Sequence, residues 1–154
     1  MRFPNICENK IIFKFQDAIS ANLFNDNVLR KTDFLDLLCL ADAHDYESKE
    51  IAWGTQWCRF QKSICERNEI EIFCVSADNP PISAFLSAFK TTAVLNLENV
   101  TILFCGSEYL GQANISQTSA EILQVARPHD PFDASVCELS DDLRNFFYNV
   151  VFDE

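Results

Sequence analysis

The order of apolar and polar positions changes period several times along this chain. Residues 10–15, KIIFKF, alternate: Ile11, Phe13 and Phe15 share one side, and Ile12 stands with Lys14 on the other, which predicts a first strand. Residues 17–24, DAISANLF, predict a short helix. A helical period then runs through Phe34, Leu37, Leu38 and Ala41. Thr32 is its N-cap, and Asp33 and Asp36 lie in the first turn of a helix over 33–43. The longest helical period covers 47–67, where Trp53, Trp57, Phe60 and Ile64 recur at spacings of 4, 3 and 4. Residues 69–76, EIEIFCVS, alternate and then turn apolar, as an inner strand does.

Pro80 and Pro81 can open a helix that carries Ile82, Phe85, Leu86 and Phe89 on one side. TAVLNL and VTILFC, separated by Glu98-Asn99, predict a β-hairpin, with a parallel arrangement left open. Residues 106–117, GSEYLGQANISQ, predict a long polar loop. Thr118 and Glu121 have capping-box spacing for a helix over 119–127, which Pro128 stops. Residues 128–138 predict an irregular acidic segment. Ser140 then caps a last helix, with Asp141 and Asp142 in its first turn and Leu143, Phe146, Phe147, Val150 and Val151 on its apolar side. These elements predict an α+β fold: a small, mainly antiparallel sheet packed by about four to six helices, in a single domain over 1–154. An α/β sheet of about four strands is the alternative.

Composition adds a core and a compartment. The chain is 48% hydrophobic, with 14 Phe and 2 Trp among 154 residues. A domain of that size buries roughly 70% of its unfolded surface and needs no metal or disulfide staple. The cysteines number 7, an odd count with no CxxC pair, and Cys39, Cys74 and Cys105 stand in apolar runs. Buried free thiols in a reducing compartment fit this better than a disulfide framework. The beginning, MRFPNICENK, has no apolar signal core, and no run approaches the length of a membrane span. The expected location is cytoplasmic, with no membrane partner.

Charge supplies the functional signal. The formal net charge is −11, and residues 91–154 hold ten carboxylates against Arg127 and Arg144 alone. A one-signed field repels nucleic acid and attracts a cationic partner. Only 3 Gly are present, and GxxxxGKS, GxGxxG and GxSxG are all missing. A glycine phosphate cradle and a nucleophile elbow are thereby excluded, and neither a cofactor nor an enzyme is expected.

Weaker chemical signals stand beside this one. His44-Asp45 and His129-Asp130, with Asp42, could hold zinc or iron if two remote segments converged. With 23 acidic residues, though, such neighbours arise by chance. Cys58 beside Arg59 is the least unfavourable thiolate, yet its spacing to Cys65 suits a packed helical face. Trp53, Trp57 and Phe60 could stack bases, against which the global charge argues.

The sequence therefore points to an acidic protein-binding module. Its most concrete form is an immunity protein that neutralises a basic nuclease-type toxin by occluding the nucleic-acid or active-site groove. The expected partner-binding residues are Glu108, Tyr109, Glu121, Asp130, Asp133, Glu138, Asp141 and Asp142, the carboxylates pairing with Lys or Arg and Tyr109 serving as an aromatic anchor. The alternatives are a DNA-mimic inhibitor of a host nuclease, a small metal-dependent enzyme using His44 and His129, and a subunit of a larger assembly.

Overall fold

Ile11, Phe13 and Phe15 alternate with Lys10, Ile12 and Lys14 because an extended chain sends successive side chains to opposite faces. The apolar set leaves water only if neighbouring strands continue the same face sideways. A computed structural model describes residues 6–26, 58–77, 79–82 and 96–152. There the alternating segment is β1, Ile6–Phe15, an inner strand of a sheet.

The other strands are β2 (Cys58–Glu66), β3 (Glu69–Ala77), β4 (Leu97–Cys105), β5 (Tyr109–Ser116) and β6 (Ala120–Ala126). They form one six-stranded sheet in the order β2-β3-β1-β4-β5-β6. Every neighbouring pair is antiparallel.

Two helices complete the described elements: α1, Ala18–Phe24, and α2, Asp141–Phe152, the latter preceded by a 3-10 turn over Ala134–Glu138. The sheet dominates. The expectation of four to six helices packed on a small sheet is overturned, and so is the alternative of a four-stranded α/β sheet. Where a helical period was read from the chain, strand pairing won in two places.

Register lays the core out in rows. Ile72, Ile11, Ile102 and Ala113 lie side by side across four strands, as do Ile70, Phe13, Val100 and Ile115. All eight are buried. Ala21 and Phe24 of α1 pack on this face, Phe24 against Phe13 and Phe15 with centroids 5.3 and 5.5 Å apart. Asp17 caps α1 by accepting from the Ser20 N–H at 2.7 Å. The polar intruder in this core, Asn9, is satisfied: its amide donates to Ser76 Oγ at 3.0 Å and to the Cys7 carbonyl at 3.1 Å.

The opposite face is covered at one corner by α2. Leu143, Phe146, Phe147 and Val150 form its buried stripe, and they meet Leu103, Cys105 and Leu110 together with Val136 of the 3-10 turn. The cap read from the sequence is present, with Ser140 Oγ accepting from the Leu143 N–H at 3.3 Å.

Four departures from the sequence reading have physical causes. The helix expected over 47–67 is β2 from Cys58 to Glu66, while 47–57 lies outside the described residues. Cys58, Phe60 and Ile64 alternate with Arg59, Gln61 and Ser63 as well as they recur helically, so the segment fits either period. A two-residue turn at Arg67-Asn68, Arg67 having φ 55°, folds it onto β3. That turn is clamped to the end of β1, where Phe15 N–H donates to the Asn68 carbonyl at 2.8 Å and Asn68 Nδ2 to the Phe15 carbonyl at 2.9 Å.

The polar loop expected over 106–117 contains β5. Gly111 leaves room for the Phe104 ring, and a Cβ there would strike that ring and the Leu123 carbonyl. The helix expected over 119–127 is β6, because Ser116 N–H donates to the Ser119 carbonyl at 2.8 Å and turns the chain back onto β5. Glu98-Asn99, read as a hairpin turn, lies inside β4, whose pairing with β1 shifts register at Lys14/Phe15 to keep Leu97 in the sheet. The helices expected over 33–43 and, past Ile82, after Pro81 fall outside the described residues.

Candidate functional site

The chain leaves β6 at Arg127, and this residue fastens the segment that follows. Its N–H donates to the Glu108 carbonyl at 3.0 Å, and its Nη1 donates to the Gly106 carbonyl at 3.0 Å. Its guanidinium carbon stands 5.9 Å from the Phe147 ring centroid. The cation is thus spent on holding the β4–β5 turn, the end of β6 and α2 together.

Beyond the buried Pro128 comes His129-Asp130-Pro131-Phe132-Asp133. Asp130 and Pro131 suit the first two positions of a type I turn. Asp130 Oδ1 accepts from the Phe132 N–H at 2.8 Å, and the Asp130 carbonyl accepts from the Asp133 N–H at 3.2 Å. The Asp133 carboxylate accepts from the Ser135 N–H and hydroxyl, both at 3.0 Å, and from the His129 N–H at 3.4 Å. These bonds, the Ser135 N–H foremost, hold its carboxyl below the ordinary value of 3.8. Val136 then plugs into the α2 core. The base of the loop is anchored and its tip is tied, yet the Phe132 side chain is 90% exposed.

An aromatic ring held in water by a closed turn is already ordered for contact with another molecule. Around it the charge is negative. Among the described residues, Glu108, Asp130, Glu138 and Asp142 form no ion pair, and of the ten carboxylates after residue 90 the bridge described is Asp141 to Arg144. Both arginines of this part of the chain are therefore engaged internally.

The expected partner-binding residues divide accordingly. Glu108 is drawn to the loop by Arg127, and Asp130, Asp133, Glu138, Asp141 and Asp142 follow along one stretch. Glu121 stands apart on β6, about 17 Å along the strand from Ala126 at the usual rise. Tyr109 turns inward: it is half-buried, its ring lies 5.9 Å from that of Phe104, and it fills the space over Gly106. Phe132 was not among the expected contacts. Its signal was available, since a lone Phe between turn-forming Asp130-Pro131 and Asp133 has no apolar neighbour in sequence with which to share a buried face.

A second concave region lies beside α2, between Asp142, Asn145 and Asn149 of the helix and Lys10, Thr101 and Gln112 of the sheet. Its charges balance within the floor, where Lys10 Nζ lies 3.7 Å from Glu71 and 5.7 Å from the Phe73 ring centroid. Of the metal ligands considered, Asp42, His44 and Asp45 lie outside the described residues, and among the described residues no group of three His, Cys, Asp or Glu is placed to hold a metal. Cys7, Cys74 and Cys105 are buried and Cys137 is exposed. Burial pushes the Cys7 thiol up to about 11, the reverse of nucleophile activation. Among the described residues, no helix is long and apolar enough to cross a membrane.

Comparison with protein families, with curated proteins and with solved structures finds no match for this chain.

Proposed function

We propose that this protein is an acidic binding module that neutralises a basic protein partner. In its most specific form it is a cytoplasmic immunity protein that occludes the nucleic-acid or active-site groove of a cationic nuclease-type toxin. The observation that carries the proposal is Phe132, 90% exposed on a turn closed by Asp130, in a stretch where Glu108, Asp130, Glu138 and Asp142 form no ion pair among the described residues. A groove that holds polyanionic nucleic acid is lined by Lys and Arg. Such a groove accepts an aromatic ring through cation–π contact and accepts carboxylates around it as phosphate surrogates. The negative field speeds encounter, while the desolvated ring sets the lifetime of the complex. Because the turn is already formed, docking orders little that was free before.

The test is co-purification from a native lysate at low and high salt, with the retained protein identified and assayed for nuclease activity. The expected partner is basic, is released by raised salt, and is lost from Phe132→Ala and from the pair Glu108→Lys/Glu138→Lys. Its nuclease activity should fall when the wild-type protein is added back. A partner that is acidic, indifferent to salt, or retained equally by both variants would overturn the proposal.

A further inference from the structure

The outer edge of the sheet lacks the devices that keep a strand from pairing with another. β6 has seven residues, AEILQVA, all exposed, with no proline, no lysine and no bulge against β5. Ile122 is 56% exposed, Leu123 61% and Val125 37%, so apolar surface shows on both sides of the strand. The chain as a whole carries −11, but this strand holds only Glu121.

The hydrogen-bond phase of β6 is known from its two ends. Ser116 N–H donates to the Ser119 carbonyl, and Arg127 N–H donates to the Glu108 carbonyl. Odd positions therefore turn their backbone groups to β5, and Ala120, Ile122, Gln124 and Ala126 turn theirs outward. That outward set is symmetric about Leu123. An antiparallel pairing with an identical strand, centred on Leu123, sets Ala120 against Ala126 of the second copy and Ile122 against its Gln124. All seven residues pair, with about eight hydrogen bonds formed across the junction.

The side chains obey the same symmetry. On the α2 side, Leu123 meets its own image at the two-fold axis. The close pairs on either side of it set Glu121 against Val125 of the second copy, so the single charge of the strand never faces itself. On the α1 side, Ile122 covers the aliphatic part of the partner's Gln124. Under this two-fold every outward N–H and C=O of the strand finds a partner, Leu123 packs on its own image and no like charges oppose, so a second copy of the chain is the fitting occupant.

We propose that β6 is a homodimer interface, joining two sheets into one continuous twelve-stranded antiparallel sheet about a two-fold axis through Leu123. The Phe132 loop is not part of the pairing. Salt separates the two events. Two copies that each carry −11 repel, so dimerisation strengthens as salt rises, whereas docking of a cationic partner weakens.

The experiment is sedimentation of the full chain over an about hundredfold range of concentration, at low salt and at about 0.5 M salt. Wild type is expected to form a dimer that tightens with salt. Leu123→Asp, which brings two carboxylates together at the axis, should weaken it at least about tenfold. Gln124→Pro, which removes an outward N–H that β5 does not use, should do the same. Circular dichroism and a urea midpoint for each variant confirm folding. Leu123→Cys supplies a gain-of-signal arm: mild oxidation should link two copies through residue 123, located by peptide mass spectrometry, and Gln124→Cys should link far fewer. A wild-type monomer at high salt, a dimer indifferent to Leu123→Asp and Gln124→Pro, or equal linkage at 123 and 124 would overturn the inference.

Discussion

The Phe132 N–H donates to Asp130 Oδ1 at 2.8 Å, and this bond closes the turn that keeps the Phe132 ring in solvent. Charge and shape at the loop therefore share one side chain, and they can be separated. Asp130→Asn keeps an oxygen acceptor and removes a charge. Asp130→Ala removes both. The Phe132 amide is expected to stay protected from hydrogen exchange in Asp130→Asn and to lose about fivefold or more in Asp130→Ala, the size of one hydrogen bond of about 1 kcal/mol. Amide exchange read by NMR or mass spectrometry checks this, and equal protection in the two variants would show that the bond does not hold the turn.

Gly111 sits under the Phe104 ring and against the Leu123 carbonyl, with no room for a Cβ. Gly111→Ala is expected to cost about 1–3 kcal/mol, the usual range for overpacking a filled site. Urea unfolding measures it. In Gly111→Ala/Phe104→Leu the combined loss should be smaller than the sum of the single losses, because the smaller side chain gives back part of the space. Strict additivity would mean that the ring is not what the new methyl meets.

Asp17 and Asp133 both have carboxyls held below the ordinary value of 3.8, in each case first by a hydrogen bond from a backbone N–H, of Ser20 and Ser135 respectively. A depressed folded pKa means that the unfolded chain binds the proton more readily. The contribution is complete above the unfolded value and disappears as pH falls through the lowered folded value. The stability difference between wild type and Asp17→Ala should accordingly be largest near neutral pH and shrink steadily below about pH 4. Urea midpoints across this range give the answer, and a difference that grows on acidification would reverse the assignment.

Phe147 is fully buried between α2 and the sheet, with the Arg127 guanidinium over its ring. Phe147→Ala is expected to cost about 3–5 kcal/mol. Phe147→Leu should cost less, yet still free the guanidinium from its ring contact. Thermal unfolding of the two variants ranks them, and a small loss in Phe147→Ala would show that α2 adds little to the fold.

Among the described cysteines, Cys137 is exposed, and Cys7 is buried with its thiol pushed up to about 11. Alkylation at about pH 8, followed by peptide mass spectrometry, should mark Cys137 first and Cys7 last. Early labelling of Cys7 in folded protein would contradict the packing of β1 against β3.

What the chain determined by itself was local. Ile11, Phe13 and Phe15 read as a strand with one buried face, residues 17–24 as a short helix, Ser140 as a cap, and the stripe from Leu143 to Val150 as a helix on a core, and the structure has each of them. Each of those signals is complete within a few residues, because the period, the cap and the buried face are set by neighbouring bonds. The charge asymmetry was legible for the same reason, since it is a sum over residues and needs no fold.

Partner strands were not legible. AEILQVA and the stretch from Cys58 to Glu66 satisfy a helical and an extended reading alike. The choice fell to β5 and β3, whose open edges offered hydrogen bonds that a helix would have left unmade. The same tertiary decision turned Tyr109, the aromatic contact that the sequence suggested, inward over Gly106 and left Phe132 exposed. Periodicity tells which residues want to leave water. Only the placement of the other strands decides which of them succeed.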